Sequence, residues 1–177
     1  MFFCFVFFFP PRVQIRDREI KVNIFDMAGH PFFYEVRNEF YKGAQGVSLV
    51  YDVGLKESFD SLDAWLAEMK QELGPQGNIE NVVFAVCANK IDCAKHRCVD
   101  ESEGRLWAES RGFLYFETSA QSGEGINEMF QVLSASGLRV LLLCFSLPAK
   151  PPVIGETEPQ SFVLVTLLFT VPPPPTV

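Results

Sequence analysis

The feature that most constrains this chain is an apolar run, Asn81 to Ala88, that stops abruptly at Asn89-Lys90-Ile91-Asp92. Four to eight apolar residues bounded by polar ones are typical of a strand buried on both faces, as in a parallel sheet. Ligands of open α/β sheets bind just beyond the carboxyl ends of such strands. The pattern therefore predicts that Asn89, Lys90 and Asp92 meet a ligand, although a plain polar turn would have the same local sequence.

The residue types at this position indicate what such a ligand would be. The carboxylate of Asp92 can accept two hydrogen bonds from a planar donor edge, such as the N1–H and N2–H₂ groups of guanine. The stem of Lys90 can lie along a flat ring while its ammonium group stays in a polar environment. A purine base carrying two adjacent donors fits this chemistry.

Two further predicted strands also end in short polar motifs. Val22 to Gly29 ends in Asp26-Met27-Ala28-Gly29, and Phe113 to Ala120 ends in Glu117-Thr118-Ser119-Ala120. Three such motifs in this order resemble the small GTPases of the Ras superfamily. The segments 40–46 and 50–53 resemble the Rab branch, in particular Rab-like GTPases with a C-terminal J domain. The resemblance covers about Val13 to Gln131.

The resemblance implies a fold and a set of site residues. The fold would be α/β: an incomplete small G domain of the P-loop NTPase type, with a mainly parallel sheet that lacks its central first strand. Family members bind GTP or GDP with Mg²⁺ and hydrolyse GTP. By resemblance, guanine would meet Asn89, Lys90, Asp92, Ser119 and Ala120, and the Gly29 N–H would reach the γ-phosphate. Thr118 and Ala28 complete the set of nucleotide-binding residues. Asp26 would support Mg²⁺ through water, and His30 replaces the Gln that orients the attacking water. Gln121 replaces the Lys common after Ser-Ala.

The phosphate-holding half of the family site is missing from the printed sequence. No Gly-x-x-x-x-Gly-Lys-[Ser/Thr] loop occurs, and neither the switch I threonine nor the His-Pro-Asp signature of a J domain is found. Since that loop holds the β- and γ-phosphates, we expect impaired GTP binding and hydrolysis. A non-enzymatic interaction fragment that uses Pro31–Tyr41, and an inert product of an alternative transcript, are the open alternatives.

The family strand order, 2-3-1-4-5-6, leaves a slot between the third and fourth strands when the first is missing. Phe2–Phe9 is a poor candidate for it, because the link through Pro10 and Pro11 cannot cross strand three, so we expect it to extend the second strand at the sheet edge. Ser161–Val171 is β-prone and free of Gly and Pro. Closing its long loop costs entropy, so the sequence favours a disordered or self-associating tail over insertion.

Composition limits the remaining possibilities. The chain has 177 residues and a net charge of −7, which is too acidic for a nucleic-acid surface. Its five cysteines lack the spacing of a disulfide scaffold, and Cys93, His96 and Cys98 lack a fourth zinc ligand, so we expect reduced thiols in the cytoplasm. We divide the chain into an apolar leader (1–11), a partial G domain (12–131) and an apolar, Pro-rich tail (132–177) that is not a domain.

Membrane attachment is not expected from the sequence. Arg139 interrupts the apolar stretch Val132–Leu147, and no prenylation cysteine stands at the end. Partners would be guanine nucleotide and proteins at Pro31–Tyr41, where Phe32, Phe33, Tyr34, Phe40 and Tyr41 either face a partner or pack inward.

Three helices are predicted from periodicity. Ser58–Leu73 has Leu62, Trp65, Leu66 and Met69 inward and Ser58 or Ser61 as its N-cap. Val99–Ser110 has Leu106 and Trp107 inward and Asp100 or Ser102 as its cap. The third begins at Gly125, with an apolar face made by Ile126, Met129, Phe130 and Leu133.

Overall fold

The computed structural model describes residues 5–6, 12–15, 18–27, 39–41, 43–73, 81–144 and 160–168. Its strands are β1 (Phe5–Val6), β2 (Arg12–Ile15), β3 (Arg18–Met27), β4 (Gly46–Asp52), β5 (Val83–Asn89), β6 (Leu114–Glu117) and β7 (Gln160–Leu168). Its helices are α1 (Lys56–Asp60), α2 (Leu62–Leu73), α3 (Glu101–Glu109) and α4 (Ile126–Cys144), with a 3₁₀ helix at Ile91–His96.

The described strands form a seven-stranded sheet in the order β1-β3-β7-β4-β5-β6, with β2 also pairing with β3. The five strands from β3 to β6 in this order run parallel to one another. Strands alternating with helices in the middle of the chain produce this arrangement. The predicted α/β class with a mainly parallel sheet is confirmed.

The slot between β3 and β4 is occupied by β7, which corrects the expectation of a disordered or self-associating tail. β7 pairs with β3 from Ile20↔Gln160 to Met27↔Leu167, and with β4 from Gly46↔Leu164 to Val50↔Leu168. An empty slot would leave two rows of buried backbone groups unpaired, at about 1–3 kcal/mol for each group. Together they exceed the loop-closure entropy, which grows only slowly with loop length.

Phe5–Val6, the part of the leader that the structure describes, lies at the outer edge of β3, so the expected place at the sheet edge holds for these two residues. β1 pairs antiparallel with the end of β3 and β2 pairs with its beginning. The pairing of β2 with β3 runs from Arg12↔Lys21 to Ile15↔Arg18.

The core lies on both faces of β4 and β5. The predicted inward residues of α2 are all buried: Leu62, Trp65, Leu66 and Met69. On the opposite face, α4 buries Met129 and Leu133 as predicted. These contacts fix the central strands, and therefore the positions of the loops at their carboxyl ends.

The prediction for the helix that begins near Ser58 is wrong in its start and its cap. A first helix begins at Lys56 with no side-chain cap, and α2 follows after Ser61. The Ser58 hydroxyl instead accepts the backbone N–H of Asp52 at 3.0 Å. The Ser61 hydroxyl donates to the Glu57 carbonyl at 2.7 Å, a back-bond that competes with regular helix structure.

The inward face of α3 is also different from the prediction. Leu106 is 69% exposed, whereas Gly104 and Ala108 are buried, and Trp107 is half-buried against the core. A Cβ on Gly104 would lie 2.3 Å from the Tyr51 hydroxyl oxygen. The helix approaches the sheet so closely here that only small residues fit beneath it.

The described helices include none that is both long and apolar enough to cross a membrane.

Candidate functional site

The candidate site lies at the carboxyl ends of β5 and β6, where the sequence predicts a ligand. β5 ends at Asn89 and β6 at Glu117, and the two strands pair in parallel with Ala88↔Glu117 in register. The residues that follow, Asn89–Asp92 and Thr118–Ala120, therefore leave the sheet side by side. The structure brings together the six residues predicted for this edge.

Backbone hydrogen bonds join the two loops. The Thr118 N–H donates to the Ala88 carbonyl at 2.8 Å, and the Ile91 N–H donates to the Thr118 carbonyl at 3.3 Å. The Asn89 side-chain oxygen accepts the Ala120 N–H at 3.1 Å and the Thr118 hydroxyl at 3.5 Å. Asn89 thus acts as a bridge between the loops.

Asp92 presents a carboxylate to solvent, and each of its two oxygens accepts a hydrogen bond from a neighbouring side chain. The Ser119 hydroxyl donates to Asp92 Oδ1, and the Cys93 thiol donates to Oδ2 at 3.3 Å. These bonds, the one from Ser119 first, lower the pKa of Asp92 below its ordinary value. Ser119 itself is fully buried, and its oxygen also accepts the Ser122 N–H at 3.1 Å. The carboxylate is therefore ionised and fixed in direction.

Lys90 adopts a left-handed backbone with φ +68°. Its ammonium group lies 2.7 Å from Asp52 Oδ2 at the end of β4, and this hydrogen bond raises the pKa of Lys90. The other Asp52 oxygen accepts the Gly54 N–H at 2.8 Å. Asp52 is a site residue that the sequence analysis missed. Because it ends β4, a strand parallel to β5, its position at the same edge of the sheet could have been predicted.

A half-buried network supports the loops from below. Arg97 forms an ion pair with Glu117, and the Tyr115 hydroxyl donates to the same carboxylate. The Glu117 partner raises the pKa of Arg97, whereas burial, followed by the hydrogen bond to Glu117, raises the pKa of Tyr115. Because Glu117 immediately precedes Thr118, the network fixes the start of one loop to the residue that follows the 3₁₀ helix. No local pattern in the sequence indicates this pairing across 20 residues.

Gly125 allows the second loop to close under the site. Its φ is +70°, and an added Cβ would lie 2.1 Å from the Glu117 carbonyl oxygen. A residue with a side chain cannot occupy this position without moving the end of β6. The loop Thr118–Gly125 therefore depends on this glycine.

The structure does not bring Asp26 to the loops Asn89–Asp92 and Thr118–Ala120. Through the paired registers, Asp26 is level with Thr166, Ser48 and Ala85, four residues before the end of β5. Three strand spacings, about 14 Å, separate β3 from β5. Burial raises the pKa of Asp26. Ala28, Gly29 and His30 lie outside the described residues.

A magnesium site is not complete in the described part of the chain. Mg²⁺ requires six oxygen ligands in a near-octahedral arrangement. Asp26 is a single ligand, and no group of three or more His, Cys, Asp or Glu side chains gathers among the described residues. Among the described residues, Asp26 is the one that would support the metal, through water. Cys87, Cys93 and Cys98 are free thiols, and burial raises the pKa of Cys87 to about 11.

Comparison with known proteins agrees with this architecture. The family model for the Ras family matches residues 6–138. The chain is 73% identical over 153 residues to DnaJ homolog subfamily C member 27 of Gallus gallus, which covers 85% of this chain and 55% of that protein. It is 83% identical over 125 residues to the Homo sapiens protein of the same name, covering 71% of this chain and 46% of that protein. Identity with the Xenopus laevis form 27-A is 86% over 154 residues, covering 85% and 55%.

The chain belongs to the Ras family. The predicted resemblance to Rab-like GTPases that carry a J domain is confirmed. The chain spans about half the length of the curated relatives it matches. The family match ends seven residues beyond Gln131, so β7 lies outside it.

Proposed function

We propose that this chain recognises guanine nucleotides through the carboxyl-end loops of β5 and β6, as a Ras-family protein with impaired GTP hydrolysis. The observation that carries the proposal is the exposed Asp92 carboxylate, held by Ser119 beside the loop that Asn89 joins to Ala120. An ionised carboxylate with a fixed direction can accept both N1–H and N2–H₂ of guanine. Adenine has neither donor in this position.

The other residues at this edge have supporting roles in the proposal. Asn89 and Thr118 hold the two loops at the spacing of a base, and Lys90 places its stem beside the ring while its ammonium group stays on Asp52. Ser119 orients Asp92, and Ala120 continues the loop. Charge-assisted hydrogen bonds contribute about 1.5–3 kcal/mol each, which is enough for preference between bases.

Hydrolysis is expected to be weak because catalysis of phosphoryl transfer depends on positioning and on stabilising the phosphate oxygens. The Gly-x-x-x-x-Gly-Lys-[Ser/Thr] motif that holds these oxygens in the family does not occur in the given sequence. We expect GTP to bind no more tightly than about 0.1 mM. Family roles for Gly29 at the γ-phosphate and His30 at the attacking water apply only where phosphate is held.

The alternative of an interaction fragment that uses Pro31–Tyr41 receives less support. Tyr41 is buried and its hydroxyl donates to Glu68 at 2.8 Å. Phe40 packs against Phe25 with ring centroids 4.8 Å apart. Both aromatic residues therefore contribute to the core rather than to a partner surface, while Phe32, Phe33 and Tyr34 lie outside the described residues.

The test is base preference, measured by titrating GDP and ADP into the purified chain and into the variant Asp92→Asn. The chain should prefer GDP by roughly tenfold or more, a difference of about 1.4 kcal/mol, and the variant should lose that preference. Asp100→Asn is the matched control, because Asp100 is exposed and its side chain caps no helix N–H. Equal affinity of the unmodified chain for GDP and ADP would contradict the proposal.

A further inference from the structure

β7 ends at the same edge of the sheet as the candidate site. β7 runs parallel to β3 and β4, with Leu167 level with Met27 and Leu49, and Leu168 level with Val50. Its carboxyl end therefore faces the same edge as the base-reading loops. Parallel sheets bind ligands at this edge. The last residue of β7, Leu168, therefore lies between the ends of β3 and β4.

By resemblance, that position is where the family's first strand would deliver the phosphate-binding loop. A phosphate-binding loop needs backbone N–H groups, glycines that allow close approach, and a lysine. The nine residues that follow Leu168 read Phe-Thr-Val-Pro-Pro-Pro-Pro-Thr-Val and include no glycine, lysine or arginine. Each of the four prolines also lacks an N–H donor. Because β7 fills the slot, another strand cannot bring a phosphate loop to it.

The charges of the described residues at this edge also disfavour phosphate. Lys90 is paired with Asp52, and Arg97 is paired with Glu117. The Asp92 carboxylate is ionised and exposed, with its pKa lowered by Ser119. A neutral base gains the hydrogen bonds of Asp92, whereas an added phosphate group meets the Asp52, Asp92 and Glu117 carboxylates, two of which already engage Lys90 and Arg97.

We propose that the site binds the guanine nucleoside itself, so that phosphates add no affinity and guanosine binds as tightly as GTP. The inference rests on the proposed guanine recognition and adds the ligand class: a neutral guanine nucleoside. Two observations support it. β7 occupies the place of the family's central strand, and Lys90 and Arg97 each form an ion pair with a carboxylate of the protein.

The experiment is a series of titrations with guanosine, GMP, GDP, GTP and adenosine, read by saturation-transfer difference NMR of the ligand protons. Each is measured with and without Mg²⁺, and at about 20 and about 300 mM salt, since screening weakens phosphate contacts. Circular dichroism and gel filtration establish that the chain is folded. The four guanine ligands should have dissociation constants within about threefold of one another, independent of Mg²⁺ and salt.

Two variants sharpen the result. Lys90→Met should change guanosine and GTP binding by the same factor, because its ammonium group is held by Asp52 and not by phosphate. Asp92→Asn should weaken all four guanine ligands and leave adenosine unchanged.

GTP binding more than tenfold tighter than guanosine, or a loss on Lys90→Met confined to the phosphorylated ligands, would overturn this inference and leave guanine recognition standing. Equal binding of adenosine and guanosine, or no binding of any guanine ligand to the folded chain, would overturn guanine recognition and this inference together.

Discussion

Two regions of the same sheet are completed in different ways. At the β5–β6 edge, specific side chains join the loops: Asn89 to Ala120, Ser119 to Asp92, and Arg97 to Glu117. In the β3–β4 slot, a strand from outside the family match supplies eight register pairs to β3 and five to β4. Backbone pairing requires only a β-prone segment of suitable length. A ligand site requires particular residues at particular positions.

A closed sheet does not by itself provide a ligand site. Any segment with β propensity and enough preceding chain to cross the sheet can fill a slot with hydrogen bonds. A phosphate loop requires particular residues, because its glycines and its lysine each have a separate role. Closing the sheet and binding phosphate therefore place different demands on the sequence.

The largest expected effect comes from breaking β7. Val165 pairs with Phe25 on one side and with Val47 on the other. Val165→Pro removes an N–H from a central strand and should cost about 3 kcal/mol or more of the free energy of unfolding. Thr170→Pro, beyond the strand, is the matched control and should have little effect. Chemical denaturation measures both, and equal stability of the two variants would show that β7 does not complete the sheet.

The loop Thr118–Gly125, which closes under the candidate site, provides the next test. Gly123 and Gly125 both have positive φ, but an added Cβ meets nothing within 4 Å at Gly123 and the Glu117 carbonyl at Gly125. Gly123→Ala should cost about 1–2 kcal/mol from the left-handed backbone alone. Gly125→Ala should cost about 1–3 kcal/mol more, because the end of β6 must move. Thermal unfolding compares the pair, and equal losses would argue against the close approach.

The ion pair below the site should have a smaller effect. Arg97 and Glu117 are 21% and 22% exposed, whereas Arg105 and Glu101, an i,i+4 pair on α3, are 45% and 54% exposed. Arg97→Met should lower the free energy of unfolding by about 1–3 kcal/mol, because Glu117 is left half-buried without its partner. Arg105→Met should change it by less than about 0.5 kcal/mol. If the two variants lose the same stability, the network does not support the loops.

The smallest effect concerns one pKa. Ser119→Ala removes the main hydrogen bond that lowers the pKa of Asp92, so that pKa should rise toward its ordinary value. A lowered folded-state pKa stabilises the fold above the unfolded pKa, and this contribution is lost as the pH falls through the folded value. In the variant, the free energy of unfolding should therefore depend less on pH in the acid range. Carbon-13 NMR of the Asp92 carboxyl measures the shift, and an unchanged pKa would mean that Ser119 does not hold the carboxylate.

The sequence predicted those features that depend on local patterns. The apolar runs of β3, β5 and β6, the buried face of α2 and the meeting of Asn89, Asp92 and Ser119 follow from periodicity and from the geometry of parallel strands. Each of these needs only short stretches of sequence, which are informative by themselves.

Other features depend on distant partners. Gly104 of α3 faces the core because the hydroxyl groups of Tyr51 in β4 and Tyr115 in β6 lie there, while Leu106 is exposed. Ser58 is used by the end of β4 and not as a helix cap. β7 enters the slot because buried backbone groups there lack other partners. The contacts of Gly104 and Ser58 leave no signal in the neighbouring residues, whereas β7 is β-prone in sequence but owes its place in the sheet to β3 and β4.

The measurement that tests the central claim most directly is amide hydrogen exchange, resolved by residue, across β3, β7 and β4. If β7 completes the sheet, amides within 162–167 should exchange as slowly as those of β4, since both strands would open only with global unfolding. Exchange of the 162–167 amides at the rate of an unstructured peptide, with β4 still protected, would contradict the account.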